Sequence, residues 1–387
     1  MTTVLVSGAV ANKHRQGGSI WVRMSWAEAL REAGFDVLFV EQIDAAACVD
    51  ATGAPAPVAA SANLAAFEAT MAAFGFAGSA ALVCAGADGT EVHGLGLEEL
   101  LAVAGAADLL VNLGGNLRWA PLLERVPCRA FVDLDPGFTQ IWLAEGRDVG
   151  AAGHDLHLTV GANVGRRGCP LPTAGRRWHP VRQPVSLERW PVAAQEPAQG
   201  FTTVASWRGA YGPVTWEGRR YGVKAHQFRR FAELPRTLGT GFTAAFDIHA
   251  GDDADARRLH DGGWTLVDPA TVASTAAFQA YVQASAAEFS PAQGVYVEAR
   301  TGWFSDRTVR YLASGRPALV QDTGLGDDLR TGAGLLTFGT VEEAAAGARA
   351  ITADYAAHRA AARRLAELHF AGPRAVAPLL QLAGVAP

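Results

Sequence analysis

The chain has 387 residues, of which 49% are hydrophobic and 18% are charged, and its formal net charge is −5. This length exceeds one ordinary hydrophobic core and predicts two domains of roughly 180 residues each, while the apolar content excludes a disordered chain. The acidic balance disfavours nucleic-acid binding through a general basic field, and no apolar run reaches the ~20 residues that span a membrane.

The N-terminal half opens with a strand, a polar loop and a helix, predicted at residues 3–10, 11–18 and 19–33. Gly17 and Gly18 stand just before the helix, where residues without a side chain let the backbone approach a phosphate closely. The alternative is a plain turn into a helix.

Alternating strands and helices continue through this half. Further strands are predicted at residues 36–43, 80–84, 108–113, 129–134 and 156–160, and helices at about 64–74, 97–107 and 117–126. The alternation predicts an α/β fold, with an open parallel sheet and helices on both of its faces.

Two acidic residues stand at the end of the strand predicted at 129–134. Asp133 and Asp135 lie at the carboxyl end of that strand, where a side chain can face a ligand crevice. Asp135 also opens the sequence D-P-G, which is typical of a turn, so turn formation alone is the alternative reading.

Residues 183–200 have the proline content and lack of periodicity of a linker. They divide the chain into a first domain at 1–182 and a second at 201–370, and we expect residues 371–387 to form a helix that packs back on the first domain. Within the second domain, strands are predicted at 201–206, 242–249, 264–267, 286–289 and 318–321, and helices at 223–234 and 341–370, the latter broken near Asp354.

The stretch from residue 297 to 324 (VEARTGWFSDRTVRYLASGRPALVQDTG) predicts a loop, a short helix and a strand. Ser305 is the predicted N-cap of the helix. A helix start carries unpaired N–H groups and about half a unit of positive charge, so it attracts phosphate. Arg300 and Arg307 would add guanidinium donors. The alternative is that Ser305 only caps a helix and that both arginines are solvated.

The predicted anion-binding residues in this stretch are Arg300, Ser305, Asp306, Arg307 and Thr308. Glu298 stands out as an acid in a positive loop. It either pairs with Arg300 or hydrogen-bonds a hydroxyl group of the ligand.

Three motifs resemble GT-B glycosyltransferases. Residues 311–317 (YLASGRP) resemble the family's helix exit of small residues, glycine and proline behind the donor phosphates, and Gly17 with Gly18 resembles its first-loop glycine pair. Arg208, in Ser-Trp-Arg after a strand, and Lys224, at a helix start, resemble the basic pair that grips the donor diphosphate.

This resemblance implies two Rossmann-like doubly wound domains that face each other across a cleft. The first domain would shape the acceptor pocket, and the second would bind a UDP-, dTDP- or GDP-sugar without a metal or a tightly bound cofactor. The implied acceptor is a small or medium hydroxyl-bearing molecule, such as a natural product. We expect a cytoplasmic monomer or homodimer without nucleic-acid or integral membrane partners.

One departure from the family concerns the reaction. Retaining relatives carry two glutamates where this chain has Gly302 and Arg310, so inversion is favoured and ribose recognition would fall to Glu298. Inversion needs a general base near the acceptor hydroxyl. His14, whose ordinary pKa suits proton abstraction near neutral pH, is one candidate.

Asp135 and Asp133 are the other candidate bases. The alternatives to a glycosyltransferase are a sugar-nucleotide epimerase of the same architecture and a nucleotide- or glycan-binding protein without activity. Product analysis without an acceptor distinguishes an epimerase from a glycosyltransferase, because only the epimerase converts the nucleotide sugar alone. A binding protein would show neither hydrolysis nor transfer of the donor sugar.

Overall fold

A computed structural model describes residues 2–86, 89–326 and 329–387. It contains two separate sheets in which almost every strand pair is parallel, so the predicted pair of Rossmann-like domains is confirmed. None of the helices described is long and apolar enough to cross a membrane.

The first sheet has eight strands in the order β4-β3-β2-β1-β5-β6-β7-β8, and only β3 and β4 are antiparallel. Its strands are β1 (Thr3–Ser7), β2 (Asp36–Gln42), β3 (Ala80–Gly86), β4 (Gly89–Gly94), β5 (Leu109–Leu113), β6 (Arg129–Asp133), β7 (Leu156–Thr159) and β8 (Trp178–Pro180). Its helices are α1 (Gly17–Glu32), α2 (Ala62–Ala73), α3 (Leu97–Ala106), α4 (Ala120–Leu123) and α5 (Phe138–Ala144).

Helices cover both faces of this sheet because side chains alternate along each buried strand. In β1, Val4 and Val6 belong to the core shared with α1 and α2, whereas Leu5 belongs to the core shared with α3. The strands are therefore apolar on both faces.

The second sheet has six parallel strands in the order β13-β12-β9-β14-β15-β16, and β10 and β11 form a separate hairpin. The strands are β9 (Gln199–Ser206), β10 (Val214–Trp216), β11 (Arg219–Tyr221), β12 (Phe242–Asp247), β13 (Trp264–Val267), β14 (Ser285–Ser290), β15 (Ala318–Gln321) and β16 (Leu335–Phe338). The helices are α6 (Lys224–Arg230), α7 (Leu234–Leu238), α8 (Asp253–Asp261), α9 (Thr275–Ala284), α10 (Gly294–Glu298), α11 (Asp306–Ala313), α12 (Val341–Ala353), α13 (Tyr355–His369) and α14 (Gly372–Ala383).

The last helix, α14, lies against α1 of the first sheet. Gly372 makes the contact close, since a Cβ atom there would lie 3.0 Å from the Cα atom of Ala29. The predicted break near Asp354 is confirmed, because the Asp354 side chain caps α13 by accepting from the backbone of Ala357.

Several predicted boundaries were wrong for local reasons. The first strand ends at Ser7 because the Glu41 carboxylate accepts the next free backbone N–H groups, those of residues 10–12. The helix predicted at 117–126 is a single turn because Asn112 hydrogen-bonds both backbone groups of Leu117.

Candidate active site

The carboxyl ends of the second sheet face the start of α1 across a cavity of about 640 Å³. Residues 15–19 line it from the first domain, and the ends of β9 and β12 line it from the second. Asp306 and Arg307, at the start of α11, complete the wall. Four residues predicted to bind the donor therefore share one cavity, namely Gly17, Gly18, Asp306 and Arg307.

The glycine pair allows the two domains to approach each other closely. A Cβ atom on Gly17 would lie 2.2 Å from the carbonyl oxygen of Ser274, and one on Gly18 would lie 2.9 Å from the ring of Phe278. Both neighbours belong to the start of α9. The packing between the domains therefore requires glycine at residues 17 and 18. The same two residues line the cavity.

The predicted N-cap at Ser305 is confirmed, because its hydroxyl accepts the backbone N–H of Arg307 at 3.2 Å. Arg307 itself is only 8% exposed. Its guanidinium donates to Glu288 Oε1 at 2.6 Å, to Ser290 Oγ at 2.6 Å and to the carbonyl oxygen of Val204 at 2.7 Å. The solvated alternative is therefore wrong for Arg307, whose charge is held by a buried carboxylate at the sheet edge.

Thr308, the next residue of α11, is fully buried, and its hydroxyl has no hydrogen-bond partner in the described part of the chain. Although Asp306 and Arg307 line the cavity, Thr308 is not among its lining residues.

Lys224 begins α6 and is partly buried near the start of α11. Burial, and then the charge of Arg307, lower its pKa to about 7, against the opposing effect of Asp306. Within the described residues its ammonium group has no hydrogen bond or ion pair, although carboxylates lie near enough to influence it. Such a group is available to an incoming anion.

The guanidinium of Arg208, unlike the ammonium of Lys224, already has an anionic partner among the described residues. Its guanidinium donates two hydrogen bonds of 2.6 Å to the carboxylate of Asp252, which follows β12. It lines a second cavity of about 460 Å³ together with Val223 and Ala225, the neighbours of Lys224. The two members of the predicted basic pair thus lie in one region, but the Arg208 charge is already neutralised.

Glu298 and Arg300 do not pair with each other, so that expectation was wrong. Glu298 accepts from Arg219 Nη2 at 3.3 Å, and Arg300 Nη1 lies 3.3 Å from Asp322 Oδ2. Arg300 has a φ of 48°, which turns the chain after α10 and directs the two side chains apart. Neither residue lines the cavity of 640 Å³.

Asp133 is completely buried and fully hydrogen-bonded. Its two carboxylate oxygens accept from the backbone of Asp135 and from the side chains of Thr139, Gln140 and Thr159, at 2.6 to 2.9 Å. Burial raises its pKa. The carboxylate orders the loop between β6 and α5 and has no free position for a substrate.

Asp135 is only partly engaged. Its Oδ1 accepts from the hydroxyl of Tyr296 at 3.1 Å, and its Oδ2 has no protein partner among the described residues. Burial and the charge of Asp133 raise its pKa to about 6, against the effects of Tyr296 and Arg23. One carboxylate oxygen therefore remains free to accept a proton near neutral pH.

His14 lies against α2. Its Nδ1 is 3.2 Å from the carbonyl oxygen of Ala11 and 3.4 Å from Asn63 Nδ2, and its Nε2 is buried with no partner among the described residues. The structure therefore places His14 beside the first domain's own helix.

Arg23 and Lys13 are functional candidates that the sequence reasoning did not find. The Arg23 side chain passes over Gly8, where a Cβ atom would lie 2.6 Å from its Cγ. Burial lowers the pKa of Arg23, while the carboxylates of Asp135 and Asp306 oppose this effect. The sequence did contain a signal for Arg23. It is a charged residue within the buried stripe of α1, and burial of a charge is costly unless the charge has a partner or a ligand.

Lys13 lies in the loop before α1. Burial and the charge of Arg23 lower its pKa, and Asp135 opposes the change. Glu41 holds this loop through the backbone N–H groups of residues 10–12, and burial raises its pKa to about 7. The first domain thus brings two cations to the cleft beside Asp135.

Comparison with solved structures identifies the architecture. An α-glucosyltransferase in complex with UDP and DNA superposes with a TM-score of 0.60 at 9% identity, over 100% of both chains. The HepE protein of Anabaena in complex with UDP gives 0.55 at 12%, over 99% of this chain and 100% of its own. AviGT4, a glycosyltransferase involved in avilamycin A biosynthesis, gives 0.54 at 15%, over 99% and 98%.

The chain has the GT-B fold. No protein-family model and no curated protein matches the sequence.

Within this GT-B fold, Arg310 occupies one of the two positions at which retaining relatives were expected to carry glutamate. It is 1% exposed and donates to the backbone and the carboxylate of Asp306, at 2.6 and 3.0 Å, and to Ser25 Oγ of α1 at 3.3 Å. Gly302, at the other position, packs against residues 162 and 163 of the first domain. Both positions make interdomain contacts.

Proposed function

We propose that this protein is a glycosyltransferase that moves a sugar from a nucleoside diphosphate to a hydroxyl group of a small or medium acceptor, without a metal. The observation that carries the proposal is the ammonium of Lys224, which has no ion pair within residues 2–86, 89–326 and 329–387 and lies within electrostatic range of Arg307 and of Asp135 in the first domain. A departing diphosphate requires such fixed positive charge, which stabilises the transition state.

The donor would occupy the cavity of 640 Å³. In this proposal, residues 201–370 form the donor-binding domain, residues 1–182 the acceptor domain, and 183–200 the linker. The backbone N–H groups at the start of α11 and the charge of Lys224 would bind the diphosphate from one side, while Arg307, paired with Glu288, would position the start of this helix. Lys13 and Arg23 would approach it from the other side.

UDP is the first nucleotide to test, because the structures of several GT-B neighbours contain UDP. Donors with dTDP and GDP are the alternatives. With Glu298 committed to Arg219, recognition of the ribose would fall to groups that line the cavity, such as Asp268 or the backbone of β9.

Asp135 is the general base in this proposal. Its free Oδ2 would take the proton of the acceptor hydroxyl while that oxygen bonds to the anomeric carbon. The bond from this carbon to the diphosphate breaks at the same time, and its electron pair leaves with the diphosphate. The displacement inverts the configuration of the sugar. Asp133 would position the loop, and His14 would support the wall of the first domain.

A small-molecule acceptor is proposed rather than nucleic acid because the net charge is −5. Two neighbouring structures of an α-glucosyltransferase contain DNA, so an oligonucleotide belongs among the acceptors to be tested.

Calorimetric binding of UDP, dTDP and GDP tests the proposal. We expect one of them to bind, and Lys224→Ala to weaken that binding by about tenfold or more, as for the loss of a charged hydrogen bond. Arg118→Ala, on an exposed arginine that pairs with Asp148, is the matched control. Absence of binding by all three nucleotides at millimolar concentration would contradict the proposal.

Turnover separates the proposal from its alternatives. Incubation of the nucleotide sugar with and without an acceptor should give a glycosylated product only when the acceptor is present. An epimerised nucleotide sugar without acceptor would indicate the epimerase, and binding without any turnover would indicate a binding protein.

A further inference from the structure

A line of aromatic rings from both domains runs past the candidate base. Tyr296, which donates to Asp135, contacts Phe138 with 6.2 Å between ring centroids. Phe138 contacts Tyr211 at 5.2 Å, and Tyr211 meets Trp142 edge-to-face at 4.7 Å. Phe138 and Trp142 belong to α5 of the first domain, whereas Tyr211 precedes β10 in the second.

The outer end of this line is accessible. Tyr211 is 37% exposed, and Trp142 is partly exposed. Burial and the charge of Asp135 raise the pKa of Tyr211 to about 12, which places its hydroxyl within electrostatic range of the base. Phe138 and Tyr296 are buried, so a molecule would lie on the outer two rings, of which Tyr211 is the one that faces the charge of Asp135.

Trp142 also lines a cavity of about 290 Å³ that contains hydrogen-bonding groups. Glu145 and Arg147, which pair at 2.9 Å, and Thr215 of β10 share this cavity. Its volume suits a single ring rather than an extended ligand. An aromatic face beside a carboxylate, a guanidinium and a hydroxyl matches the two kinds of surface on a sugar ring, which has apolar C–H faces and hydroxyl groups around its edge.

We propose that the acceptor carries a sugar ring, which stacks on Trp142, with Tyr211 at its edge, and hydrogen-bonds Glu145 and Arg147. This inference rests on the proposed transferase function. A flat phenol would stack on the Trp142 ring but offers one hydroxyl group to the charged pair, and an acyclic polyol offers several hydroxyl groups but no ring to stack. A sugar ring offers both.

The first experiment compares acceptors. With the donor that binds, transfer to methyl glucoside, methyl galactoside and cellobiose is compared with transfer to 4-nitrophenol, mannitol and a DNA oligonucleotide. We expect transfer to at least one saccharide. Transfer only to the phenol, the polyol or DNA overturns the inference, as does hydrolysis of the donor with no transfer to any saccharide.

The second experiment uses variants. Trp142→Ala should raise the acceptor KM about five- to tenfold while the donor Kd stays unchanged, and Trp142→Phe should restore most of the loss. Glu145→Gln should raise the acceptor KM about tenfold, with Glu98→Gln on the exposed face of α3 as its control. An unchanged acceptor KM in both site variants overturns the inference.

The two levels of proposal fail differently. If no nucleotide binds to the unmodified protein, the transferase function itself is wrong. A different result would contradict only the sugar-ring inference. In that case a nucleotide binds and a sugar is transferred, but Trp142→Ala lowers kcat, the thermal midpoint and the donor affinity together, so the Trp142 ring has only a structural role.

Discussion

The activity of this protein should have a narrow pH optimum, because two groups at the site titrate at neighbouring pH values. The pKa of Asp135 is raised to about 6, and that of Lys224 is lowered to about 7. The base must be ionised to accept a proton, so kcat/KM should rise with pH through about 6. The lysine must be protonated to hold the diphosphate, so kcat/KM should fall above about 7.

The size of the effect follows from the two titrations. One pH unit below the pKa of Asp135, only about a tenth of this carboxyl group is ionised, so kcat/KM at pH 5 should be about five- to tenfold below its maximum. A similar loss is expected near pH 8. A bound diphosphate favours the charged form of Lys224, so the alkaline limb of the kcat profile should lie at higher pH than that of kcat/KM.

Initial rates of nucleoside diphosphate release between pH 5 and 9 test this prediction. Asp135→Asn should remove the acid limb and lower kcat by about 10²- to 10⁴-fold. Lys224→Arg should keep the charge and remove the alkaline limb from the measured range. Asp155→Asn, in an exposed ion pair with Arg129, serves as the control. A flat profile, or an acid limb that survives in Asp135→Asn, would refute the reasoning.

Three further predictions concern stability. The pKa of Glu41 is raised from 4.5 to about 7, so the native state binds this proton more tightly than the unfolded state. The free energy of unfolding should therefore fall by about 3 kcal/mol as pH rises from about 4.5 to about 7. Urea denaturation should show this dependence flattened in Glu41→Gln; equal slopes in both proteins would contradict it. Gly17→Ala should cost about 1–3 kcal/mol by forcing the domains apart, whereas Gly78→Ala, with open space around it, should cost little in the same assay. Arg307→Ala should cost about 3–5 kcal/mol because it leaves Glu288 buried and unpaired; thermal unfolding at the wild-type temperature would disprove this.

The fold could be predicted because the alternation of apolar strands and amphipathic helices is strong in this chain. Three of the strands that escaped prediction lack that signal. β4 (GTEVHG) lies at an exposed edge and shows little burial, so no apolar pattern marks it. The β10–β11 hairpin is three residues long in each strand, too short for periodicity to distinguish it from a loop.

The proposed donor side was more predictable than the proposed acceptor side. Ser305 and the start of α11 follow from a local rule, since a hydroxyl before a helix caps it. The aromatic line past Asp135 joins residues more than 60 positions apart, so no local pattern predicts it. Its geometry exists only after the two domains have packed together.

Residue type alone could not show which cations remain available to a ligand. Arg307 and Arg310 are paired with Glu288 and Asp306, and Arg208 is paired with Asp252.

Lys13, Arg23 and Lys224 have no ion pair in the described part of the chain, and Asp135 is the carboxylate that influences all three. Asp306 also acts on Arg23 and Lys224, and Glu41 acts on Arg23, so the positive charge of the three cations is partly offset. The charge that remains favours a sugar-linked diphosphate, which carries roughly two negative charges. Before the donor binds, burial of these cations is costly and lowers the pKa of each; the charge of Arg23 adds to this effect on Lys13, and that of Arg307 adds to it on Lys224. A bound diphosphate would offset these costs, so the proposed donor should stabilise the charged form of each cation.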